Sequence, residues 1–182
     1  QNIQPKKDSI KEFTALRITN PPVIDGLLND EVWRNKPVAT NFVMIEPGDG
    51  NPSRETHPTS VKVVYDDEAI YIAGYMNDNE PNRILRQFTQ RDNIEQSDFF
   101  LVDINTYNDG ENQTRFLITS AGALADAKMT GNNEDYSYNV VWEGEITYDE
   151  NGWYGEIKIP YASLRFPKKD EQVWGIKFVR KI

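Results

Sequence analysis

Residues 60–76 read SVKVVYDDEAIYIAGYM, and the fold turns on how that stretch is read. From Ser60 to Tyr65 polar and apolar side chains alternate, Asp66-Asp67-Glu68 interrupts them, and Ile70 to Met76 continues the run. A period of two puts successive side chains on opposite faces of a pleated strand. β-Branched and aromatic residues suit that half-buried surface. The stretch predicts an antiparallel hairpin with aliphatic and aromatic side chains on both faces.

The same period recurs on either side. Asp98 to Ile104 predicts a strand, followed by an amide-rich loop from Asn105 to Gln113 that carries Asn108-Asp109-Gly110, a turn signal. Arg115–Thr119 and Ala123–Ala127 are joined by Ser120-Ala121-Gly122, and Trp142–Tyr148 and Trp153–Pro160 by Asp149-Glu150-Asn151-Gly152. A last alternating run covers Val173 to Ile182. Helical signals are short: Asn29 to Asn35, Pro81 to Leu85, and Tyr161 to Leu164 after a proline. Many short strands with regular turns predict an all-β fold, an antiparallel β-sandwich of jelly-roll or immunoglobulin-like type with a few helical turns. Residues 1–12 have no periodicity and are expected to form a flexible leader. Residues 13–182 are expected to form one domain, excised from a longer protein because the final strand stops without a turn or cap.

Composition narrows the function. A formal charge of −9 without a Lys/Arg cluster argues against a nucleic-acid partner. No apolar run approaches the roughly 20 residues of a membrane span. The chain has no cysteine, so disulfides, thiolate metal sites and cysteine nucleophiles are excluded. Its sole histidine, His57, sits in a loop sequence and would have to serve any Ser-His-Asp triad. Paired-carboxylate chemistry stays open, because sequence does not reveal carboxyl separations. The start at Gln1, without methionine, reads as a mature terminus after signal removal or as a trimmed chain, and the expected location is that of an exported protein of the cell envelope, in the periplasm or at the outer membrane and cell surface.

Five segments, in order, carry a resemblance. Residues 22–33 read Pro-Val-Ile-Asp-Gly-Leu-Leu-Asn-Asp-Glu-Val-Trp. Val63-Val64-Tyr65-Asp66-Asp67 follows, with Ile70-Tyr71-Ile72 and Asn77-Asp78, then Ser97-Asp98-Phe99. Gly152 to Tyr161 and Trp174 to Phe178 complete the set. Together they resemble the family 9 carbohydrate-binding modules over roughly residues 18–180. With Leu164-Arg165-Phe166 and Trp174 to Phe178, the chain resembles a variant that forms the N-terminal module of large exported proteins of Gram-negative bacteria, which would continue into a C-terminal region expected to be a membrane β-barrel. The resemblance implies a non-catalytic carbohydrate-binding module, linked to polysaccharide use. The alternatives are a structural or protein-interaction sandwich without a sugar site, and part of a glycoside hydrolase. In the opening motif, Asn29 or Asp30 is expected to cap one helical turn that carries Trp33 onto the open end of the sandwich.

The family's described site holds a terminal sugar between two tryptophans, with a glutamate and an arginine on its hydroxyls. Those positions fall at Ile94 or Glu95, at Leu101, at Leu117 and beyond Ile182, and none keeps the family's residue type. The expected sugar surface is therefore a different one. Asn133, Asp135, Tyr136 and Tyr138 interleave amide, acid and aromatic groups, with Arg115 and Trp142 near in strand order. The resemblance also implies structural calcium. Hard oxygen ligands of the kind Ca²⁺ takes cluster at Asp103, Asn105, Asp109 and Glu111, with Asp66-Asp67-Glu68 and Asp78 as a second set.

Overall fold

The computed structural model describes residues 11–47, 50–94 and 97–182. Residues 1–10 of the expected leader and Glu95 lie outside the described residues. Among the described residues, ten strands form two five-stranded sheets. The first contains β1 (Leu16–Arg17), β2 (Thr59–Tyr65), β3 (Ala69–Asn77), β8 (Glu143–Asp149) and β9 (Gly152–Pro160), in the order β1-β2-β3-β9-β8. The second contains β4 (Phe99–Asn105), β5 (Asn112–Thr119), β6 (Leu124–Thr130), β7 (Asn133–Asp135) and β10 (Gly175–Lys181), in the order β10-β4-β5-β6-β7. Both are antiparallel except where the two-residue β1 runs parallel to β2. The expected sandwich is therefore present, with one short parallel edge.

The hairpin at residues 60–76 closes as expected, with Val63 opposite Ile72 and Tyr65 opposite Ile70. Its turn is held by Asp66, whose Oδ1 accepts the backbone N–H groups of Glu68 (2.8 Å) and Ala69 (2.9 Å). Gly152 turns β8 into β9 at φ +149°, where a Cβ would lie 2.2 Å from the Met76 carbonyl oxygen. The three helical signals each give one 3₁₀ turn, Glu31–Trp33, Pro81–Arg83 and Tyr161–Ser163.

Alternation sorts the side chains. Val61, Val63, Ile70, Ile72, Ile157 and Ile159 point inward from the first sheet and meet Phe100, Val102, Ile104, Phe116 and Ile118 from the second. Phe100 is stacked on Phe178 of β10. This interior is the principal apolar core, and burying it is the main force favouring the fold. Two smaller clusters lie on the outer faces, one per sheet.

Candidate functional site

The opening motif covers the outer face of the first sheet. Trp33 is 1% exposed and packs with Ile18, Val64, Ala69, Tyr71 and Ala73. All three cluster members on β3, and Val64 on β2, alternate with the inward residues, so the indole lies over a sheet face. This corrects the expectation that Trp33 closes the mouth between the layers. The seat is Glu156 of β9, which is fully buried. Its Oε1 accepts the Trp33 Nε1–H (2.9 Å), and its Oε2 accepts the N–H groups of Asp25 and Gly26 (both 3.1 Å). Burial raises the Glu156 pKa, and these three donors partly offset the rise. Gly26 has φ +77°, and a Cβ there would come 2.6 Å from the Ile146 carbonyl carbon. The side-chain cap expected from Asn29 or Asp30 is not formed: Asp30 stands at the N-cap, but its Oδ2 accepts the Val23 N–H instead (3.0 Å).

The outer face of the second sheet carries two rows. Val179, Leu101, Leu117 and Ala125 stand in register across β10, β4, β5 and β6 and form an apolar row. Ile94, Phe99 and Tyr136 pack against it. Two residues along, Lys177, Asp103 and Arg115 form a charged row. Asp103 is 1% exposed; Arg115 donates to both of its oxygens through Nε (2.8 Å) and Nη2 (3.0 Å), and Lys177 Nζ lies 2.9 Å from Oδ2. Arg115 Nη1 donates to Glu134 Oε1 (2.7 Å). Burial works against the Arg115 charge, but Asp103 and Glu134 outweigh it and hold the group firmly protonated. A cleft of about 440 Å³ opens at the β7 side of this face, lined by Asp92, Asn93, Ile94, Glu134 and Tyr136. Burial raises the Tyr136 pKa, with the Arg115 guanidinium beside its hydroxyl opposing the rise.

Several expected site residues fall into place differently. Tyr136 and Arg115 share this face, and Arg115 is engaged in ion pairs. Lys128 pairs with Asp135, Met129 with Glu134 and Thr130 with Asn133, so Glu134 shares the outward side with Met129, and Asn133 and Asp135 point to the opposite one. Asp135 Oδ1 accepts the Ser137 backbone N–H (3.0 Å) and hydroxyl (2.6 Å), a local turn. Tyr138 is half-buried. Trp142 is a core residue, which corrects its assignment to a sugar surface: it is 6% exposed and meets Phe116 edge-on at 5.4 Å. Its Nε1–H donates to Asp126 Oδ1 (3.2 Å). Sequence reading missed Glu134 and Asn93. The three-residue β7 is too short to show its period, so nothing in the pattern separated Glu134 from its neighbours.

The calcium candidates are engaged elsewhere. Asp103 is ion-paired, and Asp109 Oδ1 accepts from Asn105 Nδ2 (3.0 Å) and the backbone N–H groups of Glu111 and Asn112 (2.9 Å each). With the Asn112 side chain on Oδ2, these bonds hold Asp109 far below the usual carboxylate range. Glu111 contributes a backbone N–H to this loop, and its side chain joins no metal-binding group. Among the described residues, no group of three or more His, Cys, Asp or Glu is placed to hold a metal ion.

His57 lies between the Thr56 hydroxyl (Nδ1, 2.8 Å) and Asp78 (Nε2 to Oδ2, 3.4 Å). Burial lowers its pKa against the pull of Asp78. The same Asp78 oxygen faces buried Arg180 at 3.4 Å, so its charge is shared rather than directed to the imidazole. The arrangement ties strands together.

Residues 24–180 match the family described as carbohydrate family 9 binding domain-like. The fold is similar to that of a carbohydrate binding module family 9 protein from Caldicellulosiruptor kristjanssonii in complex with glucose, at a TM-score of 0.62 and 16% identity, covering 89% of this chain and 76% of that one. A second structure, of a family 9 module from the same organism in complex with cellotriose, gives a TM-score of 0.60 and 18% identity, with 90% and 74% covered. At these identities the likeness is one of fold. No curated protein matches the sequence.

Proposed function

The chain belongs to the carbohydrate family 9 binding domain-like family, and from that membership we propose that it is a non-catalytic module binding a neutral oligosaccharide on the outer face of its second sheet. The observation that carries this reading is the cleft at Tyr136. An aromatic ring and an isoleucine border it, beside a carboxylate that Arg115 holds in place. The apolar C–H face of a sugar ring suits such a wall, and the adjacent carboxylate and amide suit its hydroxyls. Glucose and cellotriose, bound by the two structural neighbours, are the natural first ligands to test.

Calorimetric titration with cellotriose is the test. Saturable heat is expected, and Tyr136→Ala should weaken binding by about fivefold to tenfold, the scale of one aromatic contact. Binding that ignores Tyr136→Ala moves the site elsewhere; no heat with either sugar removes the reading. The proposal extends to an exported carrier of the cell envelope, part of a longer chain engaged in polysaccharide use. Fractionation of the producing cells tests this extension. A cytoplasmic location of the native protein would overturn that extension.

A further inference from the structure

The cap formed by the opening motif covers only part of the first sheet's outer face. Beyond it, Tyr75 of β3 and Tyr154 of β9 stand opposite one another and stack at 4.4 Å with an interplanar angle of 9°. Asp149 fixes the pair: its Oδ2 accepts the Tyr154 hydroxyl (2.6 Å) and, more loosely, that of Tyr75 (3.4 Å). Asn77 Nδ2 donates to the Tyr75 oxygen (3.0 Å). Neighbouring strands are about 4.8 Å apart, so two parallel rings separated by 4.4 Å stand edge-on to the sheet. One face of Tyr75 therefore rests on Tyr154, and the other looks across to β2. The residue opposite it there is Ser60, whose side chain is small, and Ser60 and Tyr75 together line an open slot.

That slot opens into a cleft of about 680 Å³, within the range of small-molecule sites. Phe42, Pro58 and Tyr75 give it apolar walls, and Arg54, Ser60 and Asn77 bring guanidinium, hydroxyl and amide groups to it. From this geometry we infer that the slot between Tyr75 and Ser60 is a second ligand site, taking a neutral hexose unit stacked on the free face of Tyr75. A peptide strand is a poorer occupant, because the β2 edge is already bridged by Ala39 to Val61, and Val43 bridges Pro52 beside it. A polyanion is disfavoured by the −9 charge of the chain. The site lies on the opposite sheet from the cleft at Tyr136, so either can fail without the other.

Amide-resolved NMR of ¹⁵N-labelled protein, titrated with cellotriose and separately with glucose, tests this. Saturable shifts are expected at Ser60, Tyr75 and Asn77 with at least one of the two sugars. Tyr75→Ala should abolish those shifts, and Tyr75→Phe should keep them. Ser60→Leu, which fills the slot and leaves Tyr75 in place, should abolish them too, with melting temperatures confirming that each variant is folded. Shifts confined to the Tyr136 cleft overturn the second site while sparing the first, and shifts confined to the Tyr75 slot do the reverse. Shifts at Tyr75 that survive Ser60→Leu, or no shifts there with either sugar, also overturn the inference.

Discussion

Glu156 accepts three hydrogen bonds beneath a fragment of its own chain, and a carboxylate so placed is sensitive to small changes. A glutamine in its place would offer one acceptor oxygen where the carboxylate offers two, so either Trp33 or the pair Asp25 and Gly26 loses its partner. Glu156→Gln should cost about 1–3 kcal/mol in urea unfolding near neutral pH. The pH dependence has a definite sign. Burial raises the folded-state pKa above the ordinary 4.5, so the folded protein holds this proton more tightly than the unfolded chain. The contribution is full below that ordinary value and declines as pH rises through the folded one. The stability gap between the parent and Glu156→Gln should therefore be wider at about pH 4 than at about pH 7; a gap that widens with pH contradicts the assignment. The tryptophans show how far single residues could be read. Burial of Trp33 follows from its size and its place at the end of a short acidic turn, but its partner lies 123 residues later in the sequence, where no local pattern points back. Trp142 carries the same ambiguity: an indole after a tyrosine-rich loop suits a sugar platform and a core equally, and Asp126 beneath it decides for the core.

At the scale of elements, strands with a buried face were legible and strands without one were not. The hairpin of β2 and β3 alternates because one side meets the core, whereas β1 and β7 are two and three residues long and expose most of their side chains. β7 in particular reads as loop, and its register alone reveals which of its residues face the cleft. β10 depends on a contact that periodicity does not encode. Its Arg180 points inward, donates to the Asn77 carbonyl (2.6 Å) and faces Asp78 across the sandwich, so one guanidinium ties the second sheet to the end of β3. Burial lowers the Arg180 pKa, with Asp78 and Asp98 opposing. Arg180→Ala leaves buried Asp78 without its cation and should destabilise the domain by about 3–5 kcal/mol, measured by chemical unfolding. A loss below about 1 kcal/mol would show that solvent already screens the pair.

For the whole molecule, the ordered motifs identified the family and the two-layer architecture, because turn chemistry and alternation repeat over the entire length. The proposed binding surface was less legible. Its positions depend on which strands become neighbours, and the residues that occupy the family's expected positions, Ile94, Leu101 and Leu117, are apolar here and join one outer cluster. Charge gives a prediction at this scale. A neutral sugar held by ring stacking feels little of the chain's −9, so its affinity should change by less than about twofold between about 50 mM and about 500 mM salt. A steep salt dependence in the same titration would point to a charged ligand instead.

The seat of Trp33 also has a bearing on biosynthesis. A ribosome delivers the indole early and the β9 carboxylate more than a hundred residues later. Until β9 emerges, the opening segment can rest only on the β2–β3 hairpin, its indole lacks the Glu156 acceptor, and the first sheet lacks the strand that joins β3 to β8. The first sheet must therefore stay incomplete until residues 152–160 are made, so fragments of this domain that end before β9 should be more open to chaperones and proteases than the whole domain.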